Sequence, residues 1–560
     1  MLGRVSTGSG RRLFTAGHTA AKTTIFVASI ASIAAMVVRP VDAGEPIRVR
    51  VQSGVLVGTL DGTVESFKGL PYAAPPVGTL RWTLPRAVAV WAAERAADEF
   101  GPSCMQSSVP RNVPPASRGA QLSEDCLTLN VWAPQTAKKA PVMVWIHGGG
   151  NDSGSSADIY YDGTAFAHDG IVLVTLNYRL GSFGFQPHNG EANFGLWDQV
   201  AALGWVRDNI ASFGGDPANV TLFGESSGGE DTLALMTAAP ARGLFQRAIV
   251  ESGGGGWGPP PTMAEVAARN RGVANYDAAA AHDATTSHDA AAGHDVPAGH
   301  DADHDAAAGH DTSVVHDAPA DEGPDYGPTI DGHLLKEPPL AAFAAGHAAR
   351  IPLIIGTNSE EGALLGPDPR TEGLFPKLTK DDQATLAKLY GPAASTDAAL
   401  ARLEFRDGYF ASEAKWIAAK VGASGVPAYL YRFDYVLGVL QSRRPGAYHG
   451  SEVPFVFGRL PTLRTDENDL RVERALHDCW VAFARTGKPT CADVPDWPPF
   501  GQVDKGQGTQ GQGTQGQGNK WMVFDAHPAA RPLDGEAALD LLQCRLAGAS
   551  LVAPASCPAK

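Results

Sequence analysis

Val220-Thr221-Leu222-Phe223 runs straight into Gly224-Glu225-Ser226-Ser227-Gly228, followed by Gly229 and a helix-compatible run from Asp231 to Thr237. The first four residues suit a strand buried on both faces of a sheet. A strand, Gly-x-Ser-x-Gly and a helix, in that order, form the setting of a nucleophile elbow. The flanking glycines permit a turn so tight that the serine is held in a strained backbone conformation with its Oγ exposed. A helix starting there aims its free N–H groups at the reacting centre. A bare Gly-x-Ser-x-Gly is common by chance; the buried strand ahead of it gives the motif its weight.

Working outward, His147-Gly148-Gly149-Gly150 follows another β-branched apolar run, Val142 to Ile146. Glycines let backbone N–H groups approach a developing alkoxide without side chains in the way, and each such donor is worth about 3 to 4 kcal/mol to a transition state. The alternative is a plain glycine turn. Ile171 to Leu176 and Ala248-Ile249-Val250 read as further buried strands. Between Asp198 and Phe213, apolar Val200, Leu203, Val206, Ile210 and Phe213 recur at three- and four-residue spacing, an amphipathic helix ended by Gly214-Gly215. Strands alternating with helices predict an α/β fold with a mostly parallel central sheet and helices on both faces.

A serine nucleophile needs a base, and the base an orienting acid, expected in the order Ser, acid, His. His449 lies in a glycine-flanked loop, Gly446-Ala447-Tyr448-His449-Gly450, after the strand-like Ala428 to Tyr435. His333, His347, His477 and His527 lack that setting. For the acid, Ile354-Ile355-Gly356 ends a strand and leads into Asn358-Ser359-Glu360-Glu361-Gly362. Carboxylates at the C-terminal ends of strands are where an α/β sheet places working groups. Pattern alone does not separate Glu360 from Glu361.

The 560 residues are 44% hydrophobic and 19% charged, the balance of a globular chain and not of a disordered, collagenous or coiled-coil one. A net charge of −15 disfavours a nucleic-acid partner. Arg4, Arg11, Arg12 and Lys22 precede the uncharged run Thr23 to Val38, and Val41-Asp42-Ala43 supplies a small-residue cleavage site, so residues 1–43 read as an export signal. Cleavage there leaves 40 basic and 59 acidic residues, a charge of −19. The run is short of the roughly 20 residues that span a bilayer, and no second run of spanning length follows. An exported, periplasmic or secreted protein without a stable membrane span is expected.

Two low-complexity segments interrupt the pattern. Residues 278–319 are Ala- and Gly-rich with His-Asp pairs at His282, His288, His294, His300, His304, His310 and His316. Such a stretch holds too little apolar surface to offset its ordering entropy, and could take divalent metal weakly in many geometries. Repeat expansion in a surface loop is the blander account. Residues 506–518 form a Gln-Gly-Thr repeat before the strand Trp521 to Phe524. The folded pattern resumes after each, so residues 44–560 read as one domain.

Longer motifs carry a resemblance. Phe67-Lys68-Gly69-Leu70-Pro71-Tyr72-Ala73 through Arg81-Trp82, Ser123-Glu124-Asp125-Cys126-Leu127-Thr128-Leu129-Asn130-Val131, and Phe223 to Gly229 resemble the signatures of the type-B carboxylesterases, the α/β-hydrolase group that includes para-nitrobenzyl esterases, animal carboxylesterases and cholinesterases. The likeness runs from about Val51 to Phe524. It implies an α/β-hydrolase fold with Ser226 as nucleophile, Glu361 as acid and His449 as base. It implies the N–H groups of Gly149, Gly150 and Ser227 as oxyanion donors, a Cys104–Cys126 disulfide, and a structural Arg81–Glu124 ion pair. Six cysteines allow two or three bridges; Cys479 with Cys491 and Cys544 with Cys557 are the shortest remaining pairings.

The expected activity is carboxylic-ester hydrolysis through an acyl-enzyme, with a small-molecule ester as partner and no metal or organic cofactor. Rival readings are a catalytically silent, cholinesterase-like binding protein and a His-rich metal-binding protein on a hydrolase scaffold. The segment Met105 to Asp125 contains no aromatic residue. Cholinesterases use a tryptophan in that loop to hold choline by cation–π contact, so neutral short- to medium-chain esters are the expected substrates.

Overall fold

Along the run Ala140–Ile146 the side chains alternate between two cores. Val142, Val144 and Ile146 enter one, and Met143 and Trp145 the other. A strand apolar on both faces belongs at the centre of a covered sheet, and this one lies there. The structure, a computed structural model, describes residues 45–255, 257–269, 326–461, 465–492, 494–501, 520–547 and 551. Residues 1–43, expected to be an export signal, the His-Asp repeat 278–319, the Gln-Gly-Thr repeat 506–518 and Cys557 lie outside the described residues.

The strands are β1 (Glu45–Val51), β2 (Gly54–Asp61), β3 (Val64–Pro71), β4 (Arg95–Ala96), β5 (Ser103–Cys104), β6 (Leu122–Ser123), β7 (Thr128–Pro134), β8 (Ala140–Ile146), β9 (Val172–Leu176), β10 (Gly215–Glu225), β11 (Arg247–Glu251), β12 (Leu353–Asn358), β13 (Ala428–Phe433), β14 (Trp521–Phe524) and β15 (Ala529–Arg531). Thirteen of them form one sheet in the order β1-β2-β3-β7-β9-β8-β10-β11-β12-β13-β14-β15, with β4 on β2; β5 and β6 pair apart. From β9 to β14 all neighbours are parallel, and the flanks β1-β2-β3-β7-β9 and β14-β15 are antiparallel. Register is set by apolar cross-strand neighbours such as Phe223 opposite Trp145 and Val250 opposite Ile355.

One face carries Val144, Leu222, Val250, Ile355 and Leu430; the other packs Trp145, Phe166, Phe223 and Phe457 ring against ring. Phe223 is fully buried, and truncating such a side chain costs about 3 to 5 kcal/mol.

The helix expected over Asp198 to Phe213 begins earlier, at Phe194, and runs as α-helix to Asn209 before a tighter turn, Ile210–Phe213. Gly214, at φ 78°, closes it, but Gly215 already belongs to β10. Leu203, Val206, Ile210 and Phe213 are buried as the spacing predicts. So are the polar Asp198, Gln199 and Asn209 on the same helix. Each is anchored: Asp198 takes a two-pronged bond from Arg179 at 2.7 and 2.8 Å, Gln199 donates to Asp231, and Asn209 accepts from the Gln52 N–H. Buried polar groups persist where partners satisfy them.

Cys104 is bonded to Cys126 and Cys479 to Cys491. Arg81 meets Glu124 in a two-pronged ion pair. Among the described residues no helix is long and apolar enough to cross a membrane, and no cluster of His, Cys, Asp and Glu is placed to hold a metal ion.

Candidate active site

Because β8 and β10 to β13 are parallel, their C-terminal ends open on one side of the sheet, where α/β folds bind ligands. β8 leads into the glycine loop after His147, β10 into Ser226, β11 into Ser252 and β12 toward Glu361, three residues past its end; the chain beyond β13 returns with His449.

Ser226 bridges β10 and the helix Ser227–Thr237 at φ 56° and ψ −128°, a conformation L-residues avoid. Its N–H is bonded to Glu251 O at 2.9 Å, and its carbonyl accepts from Gly229 and Glu230. The helix starts at once, four residues before the apolar run that announced it. Gly228 explains the turn's tightness: a Cβ there would lie 2.2 Å from Ile146 O. A Cβ on Gly148 would lie 2.9 Å from the Ser226 Cβ, so the glycine loop and the elbow touch. Gly149 and Gly150 take φ of 112° and 64°, which glycine tolerates. Ser227 is the first residue of its helix, where an N–H has no partner within the helix.

His449 Nδ1 lies 2.6 Å from Glu361 Oε2. Of the two glutamates that pattern left open, Glu361 is thus the one on the imidazole; Glu360 instead faces Arg402 at 3.8 Å. Glu361 is fully buried, and its Oε1 accepts from Ser252 Oγ at 2.5 Å, Thr357 Oγ1 at 3.0 Å and the Asn358 N–H at 2.8 Å. Burial alone would raise this carboxyl, but the His449 charge and the converging hydrogen bonds hold it below its ordinary value. The second imidazole nitrogen, Nε2, lies 3.1 Å from Glu225 Oε1. The Phe410 ring stands 5.5 Å from the imidazole.

Glu225 belongs to a group of buried acids that sequence reasoning passed over. Burial pushes Glu225 up to about 7, opposed by the His449 charge and helped by Glu361. Burial and then Glu225 push Glu452 up to about 8, although Asn358 Nδ2 donates to it. Glu251 is raised well above the carboxylate range by burial and Glu452, and accepts from Trp480 Nε1 at 2.8 Å. Burial disfavours a charged His449, yet Glu225 and then Glu361 outweigh it and raise the imidazole to about 10. The signal that marks Glu225 and Glu251 is position: each is the last residue of a parallel strand, as Ser252 is the first residue beyond one.

Two tryptophans outside the loop 105–125 pack into or against the core. Trp257 is buried, donates to Ser412 Oγ at 2.9 Å and meets Trp416 edge-on; Trp197 packs against the core.

The carboxylesterase family profile matches residues 45–517. The chain is 37% identical to the para-nitrobenzyl esterase of Bacillus subtilis, over 81% of this chain and 92% of that protein. It is 34% identical to the fumonisin B1 esterase of Sphingopyxis macrogoltabida, over 83% of this chain and 88% of the relative. A solved para-nitrobenzyl esterase superposes with a TM-score of 0.66 at 30% identity, covering 86% of this chain and 96% of its own. A Geobacillus stearothermophilus carboxylesterase gives 0.68 at 28%, with 88% and 99% covered. The elbow, the glycine loop and these likenesses converge: the chain belongs to the carboxylesterase family and is a serine carboxylesterase, an α/β-hydrolase acting on small-molecule carboxylic esters.

Proposed function

We propose that the chain hydrolyses neutral esters of short or medium acyl chain through an acyl-enzyme on Ser226. His449 in its neutral form, which grows as pH rises toward its raised value, removes the Ser226 proton as Oγ attacks the ester carbonyl carbon. The carbonyl π electrons move to oxygen, and the N–H groups of Gly149, Gly150 and Ser227 bind that oxyanion. The C–O bond to the alcohol then breaks, and His449 returns the proton to the leaving oxygen. Water, deprotonated by the same imidazole, repeats the steps and releases the acid. Glu361 keeps the imidazole in the tautomer that presents Nε2 and stabilises its charged form.

The contact that carries this reading is His449 Nδ1 on the fully buried Glu361, in a loop whose Nε2 reaches the residue next to Ser226. An organophosphate should add covalently at Ser226, and Ser226→Ala should abolish turnover. Labelling at another residue, or a fully active variant, would sink the triad.

Substrate choice rests on the aromatic-free loop 105–125 and the engaged Trp197 and Trp257. A desolvated aromatic face gives a choline head about 2 kcal/mol, over tenfold in binding. A neutral butyrate ester should therefore exceed butyrylcholine in kcat/KM by at least about tenfold; equal values would overturn the preference. The basic-then-apolar leader supports export, which N-terminal sequencing of the mature chain would test.

A further inference from the structure

Behind the glycine loop lies a polar cluster with no part in the steps above. Asn151, directly after Gly150, is buried and held in the left-handed region at φ 58°. Its N–H donates to Ser227 Oγ at 3.1 Å, and its Nδ2 donates to Asp231 Oδ1 at 3.3 Å. Asp231, one turn along the helix from Ser227, is fully buried, and its other oxygen accepts from Gln199 Nε2 at 2.5 Å. The Tyr178 hydroxyl donates to His147 O at 2.8 Å and lies 3.3 Å from Asn151 Oδ1.

These contacts join two pieces of chain that sequence keeps 76 residues apart. The glycine loop supplies two of the proposed oxyanion donors, and the helix start supplies the third. The loop's own bonds, from the Asp152 and Ser153 N–H groups to Gly149 O, hold its turn but do not tie it to the elbow helix, and glycine has the widest backbone freedom of any residue. We propose that Asn151 and Asp231 are positioning residues that clamp the glycine loop to the elbow helix and so set the spacing of the oxyanion donors. This rests on the proposed role of Gly149, Gly150 and Ser227.

The donor pattern suits the purpose. Asn151 and Gln199 both present N–H groups to Asp231, so an ionised carboxylate satisfies both, whereas a protonated one gives up an acceptor site. Burial raises Asp231 to about 7, against the pull of the Gln199 and Asn151 hydrogen bonds. A carboxylate is costly to bury and leaving its donors unpaired is costlier, which makes the three-residue unit stiff. A stiff link is what a hydrogen-bond geometry needs when a misplacement of about 1 Å costs roughly a hundredfold in rate.

The test uses the full chain and three variants: Asn151→Ala, Asn151→Asp, and the exchange Asn151→Asp with Asp231→Asn. In Asn151→Asp two carboxylates face each other; in the exchange a donor and an acceptor face each other again with their order reversed. Each protein is assayed for kcat and KM with a para-nitrophenyl ester, for inhibition by a trifluoromethyl ketone, for organophosphate labelling of Ser226, and for melting temperature. The ketone adds to serine to give a tetrahedral oxyanion, so it reports the donors directly.

Asn151→Ala and Asn151→Asp should each lower kcat between about tenfold and a hundredfold with KM within about twofold. Ketone inhibition should weaken by a similar factor, and the exchange should recover at least half of the logarithmic loss of Asn151→Asp. The clamp is overturned if folded variants keep kcat, if KM absorbs the loss, if ketone inhibition is unchanged, or if the exchange is no better than Asn151→Asp. A variant that does not fold is set aside for the exchange pair, in which the charge count is kept. If the unmodified chain is not labelled at Ser226, the underlying mechanism fails instead; labelling with normal kcat in the variants removes the clamp alone.

Discussion

The two walls around Ser226 are built on opposite principles. On the His449 side the structure concentrates carboxyl groups: Glu225, Glu251, Glu361 and Glu452 are all buried. On the glycine-loop side the proposed working groups are backbone N–H dipoles. The side chains behind them, Asn151, Ser227 and Tyr178, are neutral, with the Asp231 carboxylate at the rear and Glu225 where the two walls meet at Gly148. Charge in a buried site responds to pH and to any neighbour that changes its protonation. Fixed dipoles do not titrate, so their contribution depends on placement. One wall should therefore fail through electrostatics and the other through geometry.

The sharpest way to break this contrast is at Glu361. Glu361→Gln keeps the shape but removes the charge and the acceptor that fix the His449 tautomer, and kcat should drop by about 10³ to 10⁴. Glu360→Gln, on a side chain turned to Arg402, should change kcat little. Equal losses would show that the charged wall is not organised around His449 and Glu361. Next in size is a geometric failure. Gly228→Ala puts a methyl group 2.2 Å from Ile146 O, where backbone must move. It should cost about 1 to 3 kcal/mol of stability and most of the activity, measurable as a fall in melting temperature together with kcat. A fully active, equally stable variant would mean that elbow spacing is not critical.

A third experiment separates the walls by pH. His449 is held up at about 10 against burial chiefly by Glu225 and Glu361. Replacing Glu225 by Gln removes one negative neighbour, which favours the neutral imidazole and lowers the pH at which it sheds its proton. The acid limb of the kcat/KM profile reports the free enzyme. It should move to lower pH in Glu225→Gln. An unmoved limb, or one moved upward, would show that Glu225 does not set the proton affinity of the base. The smallest expected effect is that of salt. The charges that matter are buried at contact distance, inside the roughly 10 Å over which 0.1 M salt screens, so turnover of a neutral ester should be nearly independent of ionic strength. A strong salt dependence would point to surface charge instead.

Much of the scaffold was legible in residue order. β8 and the Val220–Phe223 half of β10 declare themselves because burial on both faces favours a short, mostly apolar run, and the glycines at 148 and 228 because the chain passes too close for a side chain. His449 stood out through its loop, and the pair Glu360-Glu361 through its place just beyond β12. The buried polar residues were harder. Asp198, Gln199 and Asn209 are polar side chains of the kind usually left in water, and their burial became visible with their partners, Arg179, Asp231 and Gln52.

What the sequence determined by itself is therefore the parallel αβ frame, the serine at a strained strand-to-helix turn and the glycine loop beside it. These follow from local chemistry: side-chain period, glycine freedom and the order of elements. The tertiary structure decided that Glu225 and Glu452 gather around the same imidazole with Glu251 beside them, and that Asn151 reaches Asp231 across 80 residues of chain. A carboxylate reads the same in a sequence whether it faces water or a buried histidine. Its protonation and its role are set by distance and desolvation, which exist once distant strand ends have been brought to one edge of the sheet.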